Sequence, residues 1–217
     1  LNADGSLAID SDSNIEVLQW MKDFFDTGAV VAAPGGFTGV EEFWTWLNQG
    51  GCASLTMPSW YMSRFTSYMP DLAGKIAIRP MPVFEEGQPR TVGIGGTGTA
   101  ITAQCKNVDL AKELLYESKL TYEANVNIWE SVQFDPVRKD VWTDEALTAP
   151  MEYFYNESFF DIMGQYMDGC PSPVNLELSV AAQDAIRNTV MYNVFVDGSQ
   201  TPEEALKAAG EELRAQQ

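Results

Sequence analysis

Histidine is absent from this chain. That removes the side chain that titrates near neutral pH, the most frequent general base and the most frequent metal ligand. Cysteine is scarce: Cys52, Cys105 and Cys170 stand far apart, with no C-x-x-C pair and no zinc spacing. Three thiols allow at most one disulfide and leave one over. Cys52 reads as a small buried apolar residue, and the cysteines do not decide a redox compartment. Basic residues are also few, 13 Lys plus Arg against 31 Asp plus Glu, for a formal net charge of −18. A polyanion of this size is repelled by phosphate backbones and by anionic lipid headgroups, so neither nucleic acid nor a membrane surface is an expected partner. The acidity itself reads as a solvated surface. No apolar run approaches the ~18 residues of a membrane span, and no basic-then-apolar leader opens the chain. The start, Leu1-Asn2-Ala3-Asp4-Gly5, is already a polar loop and reads as the beginning of a fragment or a processed product.

What is present is a globular composition, 45% hydrophobic and 12% aromatic over 217 residues, enough for one large domain or two small ones. Ser11-Asp12-Ser13-Asn14 clusters capping residues ahead of Ile15, Leu18, Met21, Phe24 and Phe25, whose spacing predicts an amphipathic helix closed by Gly28. Trp20 is expected in its core. A second helix is expected from about Val40 to Asn48, stopped by Gly50-Gly51. Trp44 and Trp46 lie two apart on it and cannot share a face, so one should be core and the other partly exposed. Strands are expected at Cys52–Met57, at Lys75–Arg79 and within Thr91–Thr102. Asn107 or Asp109 caps a helix running to Lys119, and another runs from Tyr122 to Glu130. Asp144–Phe160 should be helical in two pieces broken by Pro150. After the Pro171-Ser172-Pro173 loop comes a long helix, Leu178 to Val196, ended by Asp197-Gly198. Thr201-Pro202-Glu203-Glu204 starts the last, with Thr as cap and Pro at its first position. Many helices alternating with short separated strands make the class α/β.

Gly93-x-Gly95-x-x-Gly98 matches the dinucleotide fingerprint in form, yet Thr99-Ala100-Ile101-Thr102 after it reads as a strand. No helix N-terminus would face a pyrophosphate there, so no nucleotide cofactor is expected. The acidic pairs Glu41-Glu42, Glu85-Glu86, Glu203-Glu204 and Glu211-Glu212 point in different directions and read as solvated faces, not as the opposed carboxylates of a glycosidase.

Seven pieces, in order, resemble the extracellular solute-binding proteins of ATP-driven sugar importers, the maltose-binding type. They are "FWTWLNQGGCASLTM" at 43–57; Pro58-Ser59-Trp60; Gly74-Lys75-Ile76-Ala77-Ile78-Arg79-Pro80-Met81-Pro82; Gly95-Gly96-Thr97-Gly98-Thr99-Ala100-Ile101; Lys106-Asn107 with Leu110-Ala111-Lys112-Glu113-Leu114; Asp135-Pro136-Val137-Arg138-Lys139; and Gly198 to Leu206. The resemblance implies a periplasmic-binding-protein-like fold of type II, here its second lobe plus a helical part of the first, from a protein about twice this length. Residues 1–100 would be a second-lobe segment, 101–143 would cross to the first lobe, and 144–217 would return.

The resemblance further implies a binder rather than an enzyme. It would be a monomer that needs no cofactor or metal, captures a sugar between two lobes and delivers it to the permease subunits of an ABC importer. Its place would be the periplasm or the outer face of the cytoplasmic membrane, with any lipoprotein anchor in the part that precedes. Trp60 would stack on the ligand, Tyr61 either would join it or would lie in the core, and Gly95, Gly96 and Thr97 would line the cleft. Gln183 stands nearest to where some relatives place an aromatic, near the Cys170–Val174 stretch; that aromatic is missing here. The rivals are a carbohydrate-active enzyme and a binder of a non-sugar solute.

Overall fold

The computed structural model describes residues 6–167, 170, 171 and 178–216. They fall in two compact units, residues 1–32 with 174–217, and residues 33–173.

In the first unit, helix α1 (Asp12–Asp26) begins where Ser11 Oγ accepts from Asn14 N, and ends before Gly28, whose φ of +75° no β-carbon would favour. Asn14 tightens the entry by donating its amide to the carbonyls of Ala8 and Ile9, at 2.8 and 3.2 Å. Helix α8 (Ser179–Ala185) continues through two π-helical turns to Val196. Helix α9 (Pro202–Arg214) carries the expected start in full: Thr201 and Glu204 form a reciprocal capping box with Pro202 at the first position. Ala205, Leu206, Ala209 and Leu213, spaced by three and four, make its buried stripe against Leu18, Val190 and Val194. Gly210 lies in the same stripe because a β-carbon there would sit 2.7 Å from the Asp10 carboxylate. That carboxylate takes a two-pronged ion pair from Arg214, at 3.0 and 2.7 Å, which holds its pKa below the usual range. Trp20 departs from expectation. Helix α1 carries apolar residues on two sides; Ile15 and Leu18 take the core side, and Trp20 stacks on Phe24 outside it, half exposed.

In the second unit, α2 (Glu41–Asn48), α3 (Met62–Tyr68), α4 (Val108–Lys119), α5 (Tyr122–Val132), α6 (Glu145–Thr148) and α7 (Phe159–Met167) surround two aromatic-rich cores. One gathers Phe43, Leu47, Tyr61 and Met69; the other gathers Met62, Trp129, Val141, Leu147, Phe154, Phe159 and Phe160. Asn107, not Asp109, caps α4 by accepting from Leu110 N. Trp44 and Trp46 are both half-buried, so neither is the fully buried member of the pair. A helix does end just before Pro150, but the chain then enters a turn closed by an isolated bridge between Met151 and Glu157, and helix resumes only at Phe159. Arg79 clamps that turn through Glu157, at 2.7 and 3.0 Å.

The β component of the expected α/β fold does not appear among the described residues. The segments at 52–57, 75–79 and 91–102 have no ladder. Alternating residues suit a pleated strand, yet a strand joins a sheet only when a second segment supplies its N–H and C=O partners. The thiols of Cys52, Cys105 and Cys170 are all free and half-buried.

Candidate functional site: an exposed tryptophan on a fixed turn

Helix α2 stops at Gly50 (φ +81°) and Gly51. A β-carbon on Gly51 would stand 2.2 Å from the Trp46 indole, so the chain leaves α2 under that ring only as glycine. It then runs extended to Pro58, whose carbonyl accepts from Tyr61 N at 3.0 Å and closes a single turn over Ser59–Tyr61. Two neighbouring aromatics are thereby sent in opposite directions. Tyr61 is 2% exposed and Trp60 41%.

Tyr61 is the anchor. Its hydroxyl donates to the Thr38 carbonyl, the Trp44 indole N–H donates both to that carbonyl (3.1 Å) and to the Tyr61 oxygen (3.2 Å), and Phe65 meets its ring edge-on at 5.5 Å. Burial raises the phenol's pKa, partly offset by the Trp44 donor. Trp60 meets the Tyr61 ring at 5.7 Å and 62°, and its carbonyl accepts from Ser63 Oγ at 2.9 Å. The indole is thus held from below and open above. Sequence alone leaves Tyr61 open between ligand contact and core; the structure places its ring and hydroxyl in the core.

Asp135 carries no role in the sequence reading. Desolvation pushes the Asp135 carboxyl above the ordinary range, with the Ser59 side chain acting in the opposite direction. The side chain nevertheless belongs to a solvent-accessible residue. The only sequence signal is its place ahead of Pro136 in the Asp135-Pro136-Val137-Arg138 motif.

Gly95, Gly96 and Thr97 lie exposed on the 91–102 segment. Gly95 has φ +148°, a conformation that favours glycine, and a β-carbon on Gly96 would meet nothing within 4 Å. The segment is tied by Gly93 N donating to the Pro171 carbonyl at 3.0 Å. Among the described residues, no hydrogen bond or ring contact joins Gly95–Thr97 to Trp60. Gln183 is exposed on α8 in the first unit. Of the Cys170–Val174 stretch, residues 172–174 lie outside the described residues.

Two surface concavities, one along α4 and α5 from Glu117 to Val132 and one on α2 formed by Glu41, Glu42, Thr45, Trp46 and Gln49, include neither Trp60 nor Asp135. No group of three or more Cys, Asp or Glu could hold a metal among the described residues, and no described helix is long and apolar enough to cross a membrane.

Residues 1–115 match the family model described as bacterial extracellular solute-binding protein. The arabinooligosaccharide-binding protein of Bacillus subtilis (strain 168) is 40% identical over 215 residues, which are 97% of this chain and 49% of that protein. The arabinooligosaccharide-binding protein of Halalkalibacterium halodurans is 37% identical over 214 residues, 97% of this chain and 48% of that protein. The chain spans about half the length of these curated relatives. With more than half of its length matched by the family model, and with the ordered motifs from Phe43 to Leu206, the chain belongs to the family of bacterial extracellular solute-binding proteins.

Proposed function

We propose that the complete protein binds an oligosaccharide, with arabinooligosaccharides the first candidates, and presents it to the permease of an ABC importer. The observation that carries this reading is Trp60, held on a fixed turn and 41% exposed. A sugar ring offers an apolar C–H face to such a platform and keeps its hydroxyls for polar neighbours. The two relatives named for arabinooligosaccharides supply the ligand class. On this reading the protein works at the outer face of the cytoplasmic membrane or in the periplasm, in keeping with the family description as extracellular.

The finer architecture belongs to the same proposal. Residues 1–100 and 144–217 contribute to the second lobe of a type II binding protein and 101–143 to the first, the extended segments pairing as strands in the complete polypeptide. Closure of two lobes is what an importer would read. Gly95, Gly96, Thr97 and Gln183 are proposed as further lining, and Tyr61 as the support that sets the angle of the Trp60 ring. The protein would act without cofactor and as a monomer.

Binding without turnover separates this reading from a carbohydrate-active enzyme, which would need two carboxylates flanking the scissile bond, ~5–10 Å apart. The complete polypeptide, incubated with arabinotriose and xylotriose, should return both intact while its tryptophan fluorescence responds to one or both. Release of shorter sugars would overturn the proposal.

A further inference from the structure

We propose that the outer face of the corner between α4 and α5 is an interaction surface, and that its partner is the part of the complete polypeptide outside these 217 residues, which would bring a β-sheet to it. This rests on the division into lobes proposed above and is independent of which ligand the protein takes.

Helix α4 has a complete start and an apolar side but no core. Asn107 caps it, yet none of its residues is buried. Leu110 and Leu114 stand one turn apart and so share a face, and they are 60% and 65% exposed. The same line along the helix runs on to Ser118, which forms part of one wall of the groove between α4 and α5. On α5 the wall is made by Ala124, Ile128 and Val132, again at four-residue steps. A single exposed leucine is ordinary on a surface; an apolar line that continues into a groove marks a face built to be covered. The corner is also fixed in advance, because Asn125 donates to the Lys119 and Thr121 carbonyls at 3.0 and 2.8 Å.

Two unmet requirements converge here, and one partner satisfies both. The chain approaches α4 through the extended 91–102 segment. Its residues Ile94 to Ala100 are exposed and, among the described residues, join no backbone hydrogen bond. Extended backbone needs the N–H and C=O groups of a neighbouring strand, and the apolar side of a helix needs a layer to lie on. Elements that follow one another in sequence are usually neighbours in space, so a sheet joined by 94–100 is the layer that α4 can cover. The relatives have the length to supply it. Both arabinooligosaccharide-binding proteins match 97% of this chain, α4 and α5 included, and about half of each lies beyond the match. A second copy of this chain is the poorer occupant. It would bring Glu117 and Glu123 of one groove against those of another, between chains of formal charge −18.

The test is urea unfolding of the complete polypeptide without sugar, comparing wild type with Leu114→Ala, Leu114→Lys and Tyr116→Lys. Tyr116 is the control, since it is exposed on the opposite side of the same helix. Leu114→Ala should lower the midpoint by about 1 M although alanine is the better helix former, because a covered leucine leaves a cavity. Leu114→Lys should lower it further or prevent folding, and Tyr116→Lys should leave it unchanged. Equal midpoints for wild type and Leu114→Ala, or equal losses for Leu114→Lys and Tyr116→Lys, would overturn the proposal. A midpoint that rises with protein concentration would assign the face to a second copy and overturn it as well. The carbohydrate reading is judged separately, by titrating the wild type with arabinotriose; failure to bind would overturn that reading and leave this surface standing.

Discussion

Asn125 ties together three stretches of the second unit, and replacing it with alanine should be correspondingly costly. Its amide nitrogen donates to the carbonyls of Lys119 (3.0 Å) and Thr121 (2.8 Å), closing the corner between α4 and α5. Its oxygen accepts from Val137 N and Arg138 N, fixing the loop that bears Asp135. The residue is 1% exposed, so water does not replace these partners without local opening. The Thr121 carbonyl keeps its helical bond from Asn125 N at 3.3 Å, and the other three groups are left short of a partner. At ~1–3 kcal/mol for each buried group left unmade, reduced where the loop lets water in, Asn125→Ala should cost about 2–4 kcal/mol. Urea unfolding followed by the fluorescence of Trp129, buried on α5 in the same unit, reads this directly. Asn125→Asp gives a contrast, because it keeps the acceptor but faces two carbonyls with a charge. Its carboxyl should have a raised pKa, so its deficit should shrink as pH falls and the protonated acid regains a donor. An Asn125→Ala stability within about 0.5 kcal/mol of wild type, the range of a neutral surface change, would refute the reasoning.

Two further perturbations concern the first unit. Thr201→Ala removes one half of the capping box of α9 and should destabilise by ~1 kcal/mol in thermal or urea unfolding; no change would mean that Pro202 and Glu204 start the helix unaided. Asp10→Asn removes the charge that Arg214 holds. Because the Asp10 pKa is lowered in the folded protein, its contribution is present above the ordinary carboxylate pKa and fades as pH drops through the lowered one. The variant should therefore melt below wild type near neutral pH and converge with it in acid; a difference that grows in acid would contradict the ion pair.

Much of the helical framework is legible locally. Helix starts at Ser11, Asn107 and Thr201 need only a side-chain oxygen and an N–H three residues on, and stops at Gly28, Gly50 and Gly198 need only a backbone freed for positive φ. The strands are not legible in the same sense, since the alternation in Lys75–Arg79 states a preference but names no partner. Trp20 goes to the wrong side on sequence alone because α1 carries apolar residues at Val17, Trp20, Met21 and Phe24 as well as at Ile15 and Leu18, and periodicity does not choose between two stripes. At the candidate site, Trp60 is visible as an aromatic after Pro58. The division of labour with Tyr61 is not, because it depends on Thr38 and Trp44 meeting the phenol across 23 and 17 residues of chain. Asp135 sits in a recognisable motif, but the raised pKa that burial gives its carboxyl is not legible there, because burial depends on segments far along the chain.

The central claim is that Trp60 is a carbohydrate platform, and one titration tests it most directly. Arabinotriose titrated calorimetrically into the complete polypeptide and into its Trp60→Ala variant should give saturable binding to the first. The variant should bind more weakly by ~1–3 kcal/mol, with its urea midpoint unchanged, because Trp60 is 41% exposed and belongs to none of the core clusters. Equal affinity in the two proteins would contradict the account.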